Sequence, residues 1–278
     1  MLKEFKSNYY RLFRSKTFYI IFGLLFLGAC FSCFMIKFIV DDPFGMVNAI
    51  QEELEEVSKT DVESIYLEVY SESLESLQQL SDLAGIVRIQ MIGGIGFMLY
   101  SLLVVLFVGR EFKSRFYVNH YSGNSSAVKI AFVQWLSMIF ITVFMQVGLF
   151  LFTVVVTFSC CDNVHMGDLS LAFRYFLIAV LGNAAFVTFG YMVTFIRKSF
   201  VLATVLVCLY TLGFIDLVFT FAAVFITPLR LLSLSAQVEL TIDDFSAFSY
   251  ASTICSIVFF ILLYLSITLV VAKRRDAY

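Results

Sequence analysis

Residues of the types that most often act in catalysis or metal binding are few in this chain and lie far apart in the sequence. Its two histidines, His120 and His165, stand in different segments, and neither has the spacing of a zinc site or an obvious set of triad partners. No glycine is followed by lysine, which excludes the phosphate-binding loop of P-loop ATPases. The sequence therefore predicts a protein that is not an enzyme, has no catalytic residues and holds no metal or cofactor.

Four polar side chains instead interrupt long apolar runs, where a polar or ionisable group is costly unless it faces a partner or water. They are Asp216, Asn183, Thr142 and Gln146, and the last two stand four residues apart and share one face of a helix. One interpretation is that they line a translocation path. The alternatives are that Asp216 marks a helix end and that the other side chains hold helices together.

The apolar runs themselves are long enough to cross a bilayer core of about 30 Å as helices. With 60% hydrophobic and 14% charged residues in 278, the chain is too apolar for a soluble domain. The predicted fold class is an all-α integral membrane protein with six transmembrane helices in a single domain, 1–278. The spans are expected near 17–40, 91–109, 130–158, 170–196, 200–226 and 248–272.

The basic residues predict the orientation, because short cytoplasmic loops carry an excess of lysine and arginine. One alternating set of loops holds 14 of the 19 basic residues: 1–16, 110–129, 197–198 and the tail from residue 273. Both termini are therefore expected in the cytoplasm. Because this distribution of positive charge follows the topology, no nucleic-acid partner is expected.

Two further segments have distinct compositions. Residues 1–16 place apolar side chains at helical spacing among basic ones, which predicts a helix lying in the cytoplasmic interface; the alternative is a disordered basic lead-in. Segment 41–88 contains 12 of the 21 acidic residues, and its aliphatic residues recur every three or four positions. We expect an exterior acidic helical loop there, whose acidic face either attracts a cationic peptide or is simply solvated.

The longest cytoplasmic loop between spans, 110–129, has helical character of its own. Phe112 and Phe116 stand four residues apart, and so do Glu111 and Arg115, in the order that favours an ion pair. A short amphipathic helix of this kind can dock in the groove of a partner protein or rest on lipid headgroups.

Two stretches of the sequence resemble the type-2 ABC-transporter permeases, particularly the small bacterial permeases of bacitracin and lantibiotic export or self-immunity. One stretch is the basic amphipathic start of the chain. The other resembles the family's cytoplasmic segment between the second and third spans, and it comprises Gly109-Arg110-Glu111-Phe112-Lys113-Ser114, Tyr121-Ser122-Gly123-Asn124-Ser125-Ser126 and Lys129.

The resemblance implies a permease subunit of an ATP-driven exporter in the bacterial plasma membrane, with a peptide-like, amphipathic or antimicrobial substrate. Its implied partners are a cytoplasmic ABC ATPase dimer that binds ATP and Mg²⁺, a second permease half, identical or related, and membrane lipids. A re-entrant exterior helix pair is also implied, at 217–245. The residues to which the resemblance gives the coupling to the ATPase are Arg110, Glu111, Phe112, Arg115 and Phe116.

Two other classes of protein fit the same composition. One is an ion-coupled secondary transporter with Asp216 as the ion-binding group, although such carriers usually show inverted repeats and none is evident between 17–109 and 170–272. The other is a membrane sensor or assembly factor that transports nothing and binds a ligand through segment 41–88.

Overall fold

The structure is a computed structural model that describes residues 2–40, 82–92, 94–113, 126–160, 169–214 and 247–276. The secondary structure of these ranges is helical, which confirms the all-α prediction. The helices are α1 (Leu2–Phe13), α2 (Lys16–Val40), α3 (Leu83–Met91), α4 (Gly94–Lys113), α5 (Ala127–Cys160), α6 (Leu169–Arg197), α7 (Phe200–Thr211) and α8 (Ala247–Asp276).

Five of these helices, α2, α4, α5, α6 and α8, are long and apolar enough to cross a membrane. In lipid a continuous helix pairs its backbone groups internally, which is why uninterrupted apolar runs become helices. Each of the five agrees with a predicted span to within a few residues. The protein is therefore a multi-pass, all-helical membrane protein.

The span predicted at 200–226 is interrupted in the structure. Helix α7 ends at Thr211, and the main chain turns at Gly213, whose φ of 79° is a left-handed conformation that glycine adopts without strain. At 12 residues, α7 is about 18 Å long and shorter than the roughly 20 residues that a span needs. Residues 215–246 lie outside the described ranges, so a sixth span and the re-entrant pair stay predictions.

The acidic loop predicted at 41–88 is only partly described. Residues 41–81 lie outside the described ranges, and the boundary predicted at residue 88 falls inside helix α3. Helix α3 begins with the apolar run from Leu83 to Val87, and these side chains are buried. The acidic part of the segment therefore ends near Asp82, and the buried helix α3 begins directly after it.

The contacts divide the chain into two compact units. The first unit comprises Met1–Leu25, Ile92–Val147 and Leu177–Tyr278, and the second comprises Phe26–Met91 and Gly148–Phe176. All of the described residues discussed below as functional candidates belong to the first unit.

Within the first unit, two buried apolar clusters form the core. One packs α1 and the start of α2 against α4, α5 and α6, and its fully buried members include Leu12, Leu103 and Met138. The other joins α4, α6, α7 and α8 through aromatic side chains, where the hydroxyl oxygens of Tyr210 and Tyr264 lie 3.2 Å apart. Helix α1 is thus part of the core of its unit.

The end of α4 and the start of α7 approach each other closely at Gly109. A Cβ atom added at this position would lie 2.6 Å from Cβ of Phe200 and 3.4 Å from its Cα. No flexible side-chain end is available to move away, so only glycine permits this approach.

The second unit is held by aromatic pairs and by one polar bridge. Gln90 of α3 donates from Nε2 to the carbonyl oxygen of Ala29 at 3.1 Å and to Sγ of Cys33 at 3.3 Å, and its Oε1 accepts a hydrogen bond from Thr153. This one amide therefore links α2, α3 and α5.

Candidate functional site

The most unusual feature of the first unit is a buried ion pair between α1 and the last turn of α4. Arg11 Nη1 lies 2.7 Å from Glu111 Oε1, and the two side chains are 25% and 8% exposed. Because a charge in a poorly solvated position is costly unless it is paired and hydrogen-bonded, the surroundings of these groups matter.

The other oxygen of Glu111 is bound by α5, since Gln134 Nε2 donates to Glu111 Oε2. The opposite end of the same amide faces α6, where Tyr191 Oη lies 3.1 Å from Gln134 Oε1 and 3.0 Å from the carbonyl oxygen of Ala131. The single hydroxyl proton of Tyr191 is therefore available to either carbonyl oxygen. This chain of contacts fixes the orientation of the Gln134 amide.

On α1, the same arrangement extends through Asn8. Arg11 Nη2 donates to Asn8 Oδ1, and Asn8 Nδ2 donates to Ser137 Oγ of α5 at 3.4 Å. Ser137 Oγ in turn donates to the carbonyl oxygen of Val133 at 2.7 Å. We refer to the side chains of Asn8, Arg11, Glu111, Gln134, Ser137 and Tyr191 as the Arg11–Glu111 network.

Aromatic contacts support the same docking of α1. The rings of Phe5 and Tyr9 contact Phe140 of α5, with centroid distances of 6.3 and 6.5 Å. Burial raises the pKa of Tyr9 to about 12. Helix α1 is consequently attached to α5 by apolar, aromatic and polar contacts.

Helix α4 extends to Lys113, beyond the apolar run predicted at 91–109, and its last turn carries part of the Arg11–Glu111 network. The guanidinium group of Arg11 and the amide of Gln134 compensate the charge of Glu111 in this turn. Phe112 also packs inward, with its ring 5.4 Å from that of Phe195 of α6. The described part of segment 110–129 before its gap is therefore the last turn of α4.

The structure describes three of the five predicted coupling residues, and these three differ in burial. Arg110 is exposed, Glu111 is buried, and Phe112 is partly buried against the core. Arg115 and Phe116 lie outside the described residues, as does the predicted ion pair between Glu111 and Arg115. The contact with Arg11 was not predicted.

Of the four predicted path residues, three are described and all three are buried. Asn183 Nδ2 donates to Gln146 Oε1 at 3.0 Å, which joins α6 to α5, and Thr142 Oγ1 lies 3.0 Å from the carbonyl oxygen of Ile139 in its own helix. Asn183 Oδ1 is buried without a donor among the described residues. These are contacts of helix packing, Asp216 lies outside the described ranges, and the translocation role stays a prediction.

Sequence reasoning missed the pairing of Arg11 with Glu111, although one signal was present. Between Asp82 and Asp162, Glu111 is the only acidic residue, and it stands in a segment that is otherwise basic. A lone carboxylate among cations is a candidate for an ion pair with one of them. The sequence did not indicate which cation that partner is, because the two residues are far apart along the chain.

The fold and this site together define a multi-pass, all-helical membrane protein. Its N-terminal helix packs against the bundle and is joined to it by a largely buried ion pair. Among the described residues, no group of three or more His, Cys, Asp or Glu side chains comes together to hold a metal. No protein-family model, curated protein or solved structure matches the chain.

Proposed function

We propose that the chain is the membrane-spanning permease subunit of an ATP-driven ABC exporter in the bacterial plasma membrane, with both termini in the cytoplasm. Its cargo is an amphipathic or antimicrobial peptide, exported or expelled in self-immunity. Hydrolysis takes place in a partner ATPase dimer, and a second permease half completes the path. The support is the five helices long enough to span a membrane and the placement of the basic residues. A further support is that segment 109–129 resembles the cytoplasmic segment of the type-2 ABC-transporter permeases.

The observation that carries this proposal is the Arg11–Glu111 ion pair at the end of α4. In the proposal, the ATPase contacts the cytoplasmic loop that begins there, and Glu111 acts as the link between that loop and the bundle. A displacement of the loop must then either move α1, α4, α5 and α6 together or break a buried ion pair, which costs about 3–5 kcal/mol. The less costly course is a joint movement, as alternating access requires.

This reasoning assigns different roles to neighbouring residues. Arg110 and Phe116 are proposed to contact the ATPase directly, whereas Glu111 and Phe112 transmit the displacement, since the structure buries them against Arg11 and Phe195. A sixth span is proposed to include α7 and to continue beyond its turn, which keeps both termini on one side of the membrane.

The first test is to purify the tagged chain from its native host in mild detergent and to quantify the accompanying proteins by mass spectrometry. We expect a soluble ATPase at near-stoichiometric amount, with or without a second six-span protein. A lone chain, reproduced in stabilising lipid, would contradict the proposal and favour an ion-coupled carrier or a sensor.

The second test uses charge reversal at the exposed end of α4. We expect Arg110→Glu to lower the recovered ATPase at least about tenfold, because like charges brought together at an interface cost several kcal/mol. Arg197→Glu is the matched control, since Arg197 is also exposed at the end of a span. Equal recovery with both variants would remove Arg110 from the interface.

The third test addresses coupling in the reconstituted complex. Phe116→Ala should abolish the stimulation of ATP turnover by substrate while leaving the fold intact, whereas Phe112→Ala should also lower stability because Phe112 packs on Phe195. Unchanged stimulation with Phe116→Ala would refute the coupling role of this segment.

A further inference from the structure

The face of α1 that points away from the bundle is both basic and aromatic. It comprises Lys6, Tyr10, Phe13 and Arg14, whose spacing of four, seven and eight residues places them on one side of a helix. All four are exposed, and Tyr10 and Phe13 are 65% and 43% exposed although they are large and apolar. The opposite side of α1 is the one that the core and the Arg11–Glu111 network hold.

The position of this face relative to a bilayer follows from the start of α2. Helix α1 ends at Phe13 and the membrane-spanning helix begins at Lys16, after a tight turn in which the Ser15 backbone N–H donates to the carbonyl oxygen of Leu12 at 2.9 Å. The rings of Phe13 and Phe18 also contact, with a centroid distance of 5.0 Å. The outward face of α1 therefore lies at one end of a span, where lipid headgroups are found.

The two cations of this face have no carboxylate partner in the part of the chain that the structure describes. Among the residues that the structure describes, no carboxylate lies within ion-pair distance of Lys6 or Arg14. Arg14 Nη1 donates to the hydroxyl oxygen of Tyr10 at 3.4 Å, which holds the guanidinium group beside an aromatic ring. Such a surface matches a phosphate group with an adjoining apolar boundary.

We propose that the outward face of α1 binds the headgroups of anionic phospholipids in the membrane that the chain spans. Lys6 and Arg14 contact the phosphates, and Tyr10 and Phe13 insert at the boundary between headgroups and acyl chains. Each cation near an anionic surface favours binding by about fivefold. Because the other side of α1 is fixed to Glu111, anionic lipid stabilises the docked position of this helix.

The experiment places a photocrosslinker, benzoylphenylalanine, at Phe13 in the full chain. The protein is reconstituted in nanodiscs of equimolar phosphatidylglycerol and phosphatidylcholine, and the crosslinked products are identified by mass spectrometry. We expect at least about five phosphatidylglycerol adducts for each phosphatidylcholine adduct. The double variant Lys6→Gln/Arg14→Gln should lower this ratio to about one, and Lys129→Gln/Arg197→Gln should leave it unchanged.

A complementary measurement needs no substitution. Raising NaCl to about 1 M shortens the Debye length to about 3 Å and should lower the same ratio towards one, because the face is exposed. A ratio of one in the unsubstituted protein at low salt would overturn the proposal. Crosslinks mainly to protein, either a second copy of the chain or a soluble partner, would overturn it as well and would identify the true occupant of this face. Neither result depends on whether the chain belongs to an ABC exporter.

Discussion

Replacing Arg11 with glutamine should destabilise the protein by about 3 kcal/mol. Breaking a buried ion pair by removing one partner costs about 3–5 kcal/mol, because the remaining carboxylate either keeps an uncompensated charge or must take up a proton. The Glu111 side chain is only 8% exposed, whereas Arg11 is 25% exposed and is partly screened by solvent, so we expect the lower end of that range.

The two partners should respond unequally. Glu111→Gln leaves a guanidinium group that still reaches water and still donates to Asn8, so its cost should be about 1.5 kcal/mol, the value of one charge-assisted hydrogen bond. The double variant Arg11→Gln/Glu111→Gln leaves no buried charge. Its cost should fall below the sum of the single variants by at least about 1 kcal/mol, as expected for residues in contact.

The assay is equilibrium unfolding of the purified chain in mixed micelles with increasing SDS, followed by far-ultraviolet circular dichroism. Hydrogen exchange of the α1 amides provides a local measurement, since undocking of one helix need not unfold the rest. Arg197→Gln is the matched control, because Arg197 is exposed at the end of α6, outside both the Arg11–Glu111 network and α1, and its loss should cost within about 0.5 kcal/mol. The reasoning would be refuted if Arg11→Gln costs no more than Arg197→Gln. It would also be refuted if the cost of the double variant equals the sum of the two single-variant costs.

Three further predictions use the same unfolding measurement. Gly109→Ala should destabilise by about 1–3 kcal/mol because its methyl group overpacks the contact between α4 and α7, whereas Gly96→Ala, with open space around it, should not destabilise. Asn183→Leu should cost about 0.6–1.7 kcal/mol because it leaves Gln146 Oε1 without its donor; Gln146→Leu should then add little, and a full additional loss would contradict the pair. Lys198→Gly should raise the stability by up to about 1 kcal/mol, since Lys198 has a φ of 54°, and a loss of stability would show that this conformation is not strained.

The sequence predicted the helices well because their signal is local. Lipid solvates only apolar side chains, so an apolar run of sufficient length specifies a span almost regardless of the rest of the chain. The spans predicted at 130–158 and 170–196 accordingly agree closely with α5 and α6. The amphipathic pattern of residues 1–16 likewise predicted α1, because helical periodicity is visible within a few turns.

The local sequence pattern did not give the exact ends of two of these helices. The span predicted to end at residue 109 continues as one helix to Lys113, and Glu111 in its last turn pairs with Arg11 of α1. The apolar run that begins at residue 200 continues in composition beyond Gly213, but the main chain turns there. The sequence offered a helix end nearby, at Asp216, only as an alternative, since a glycine in an apolar run does not by itself specify a turn.

The sequence by itself determined that this protein is a multi-pass, all-helical membrane protein with a basic N-terminal helix. Only the tertiary structure decided which polar side chains meet: Arg11 with Glu111, Gln134 with Tyr191, and Asn183 with Gln146. The physical reason is that such pairs depend on the rotation of each helix about its axis and on its neighbours. Apolar side chains are about equally stable in lipid and in a helix interface, so they specify neither the rotation of a helix nor its neighbours.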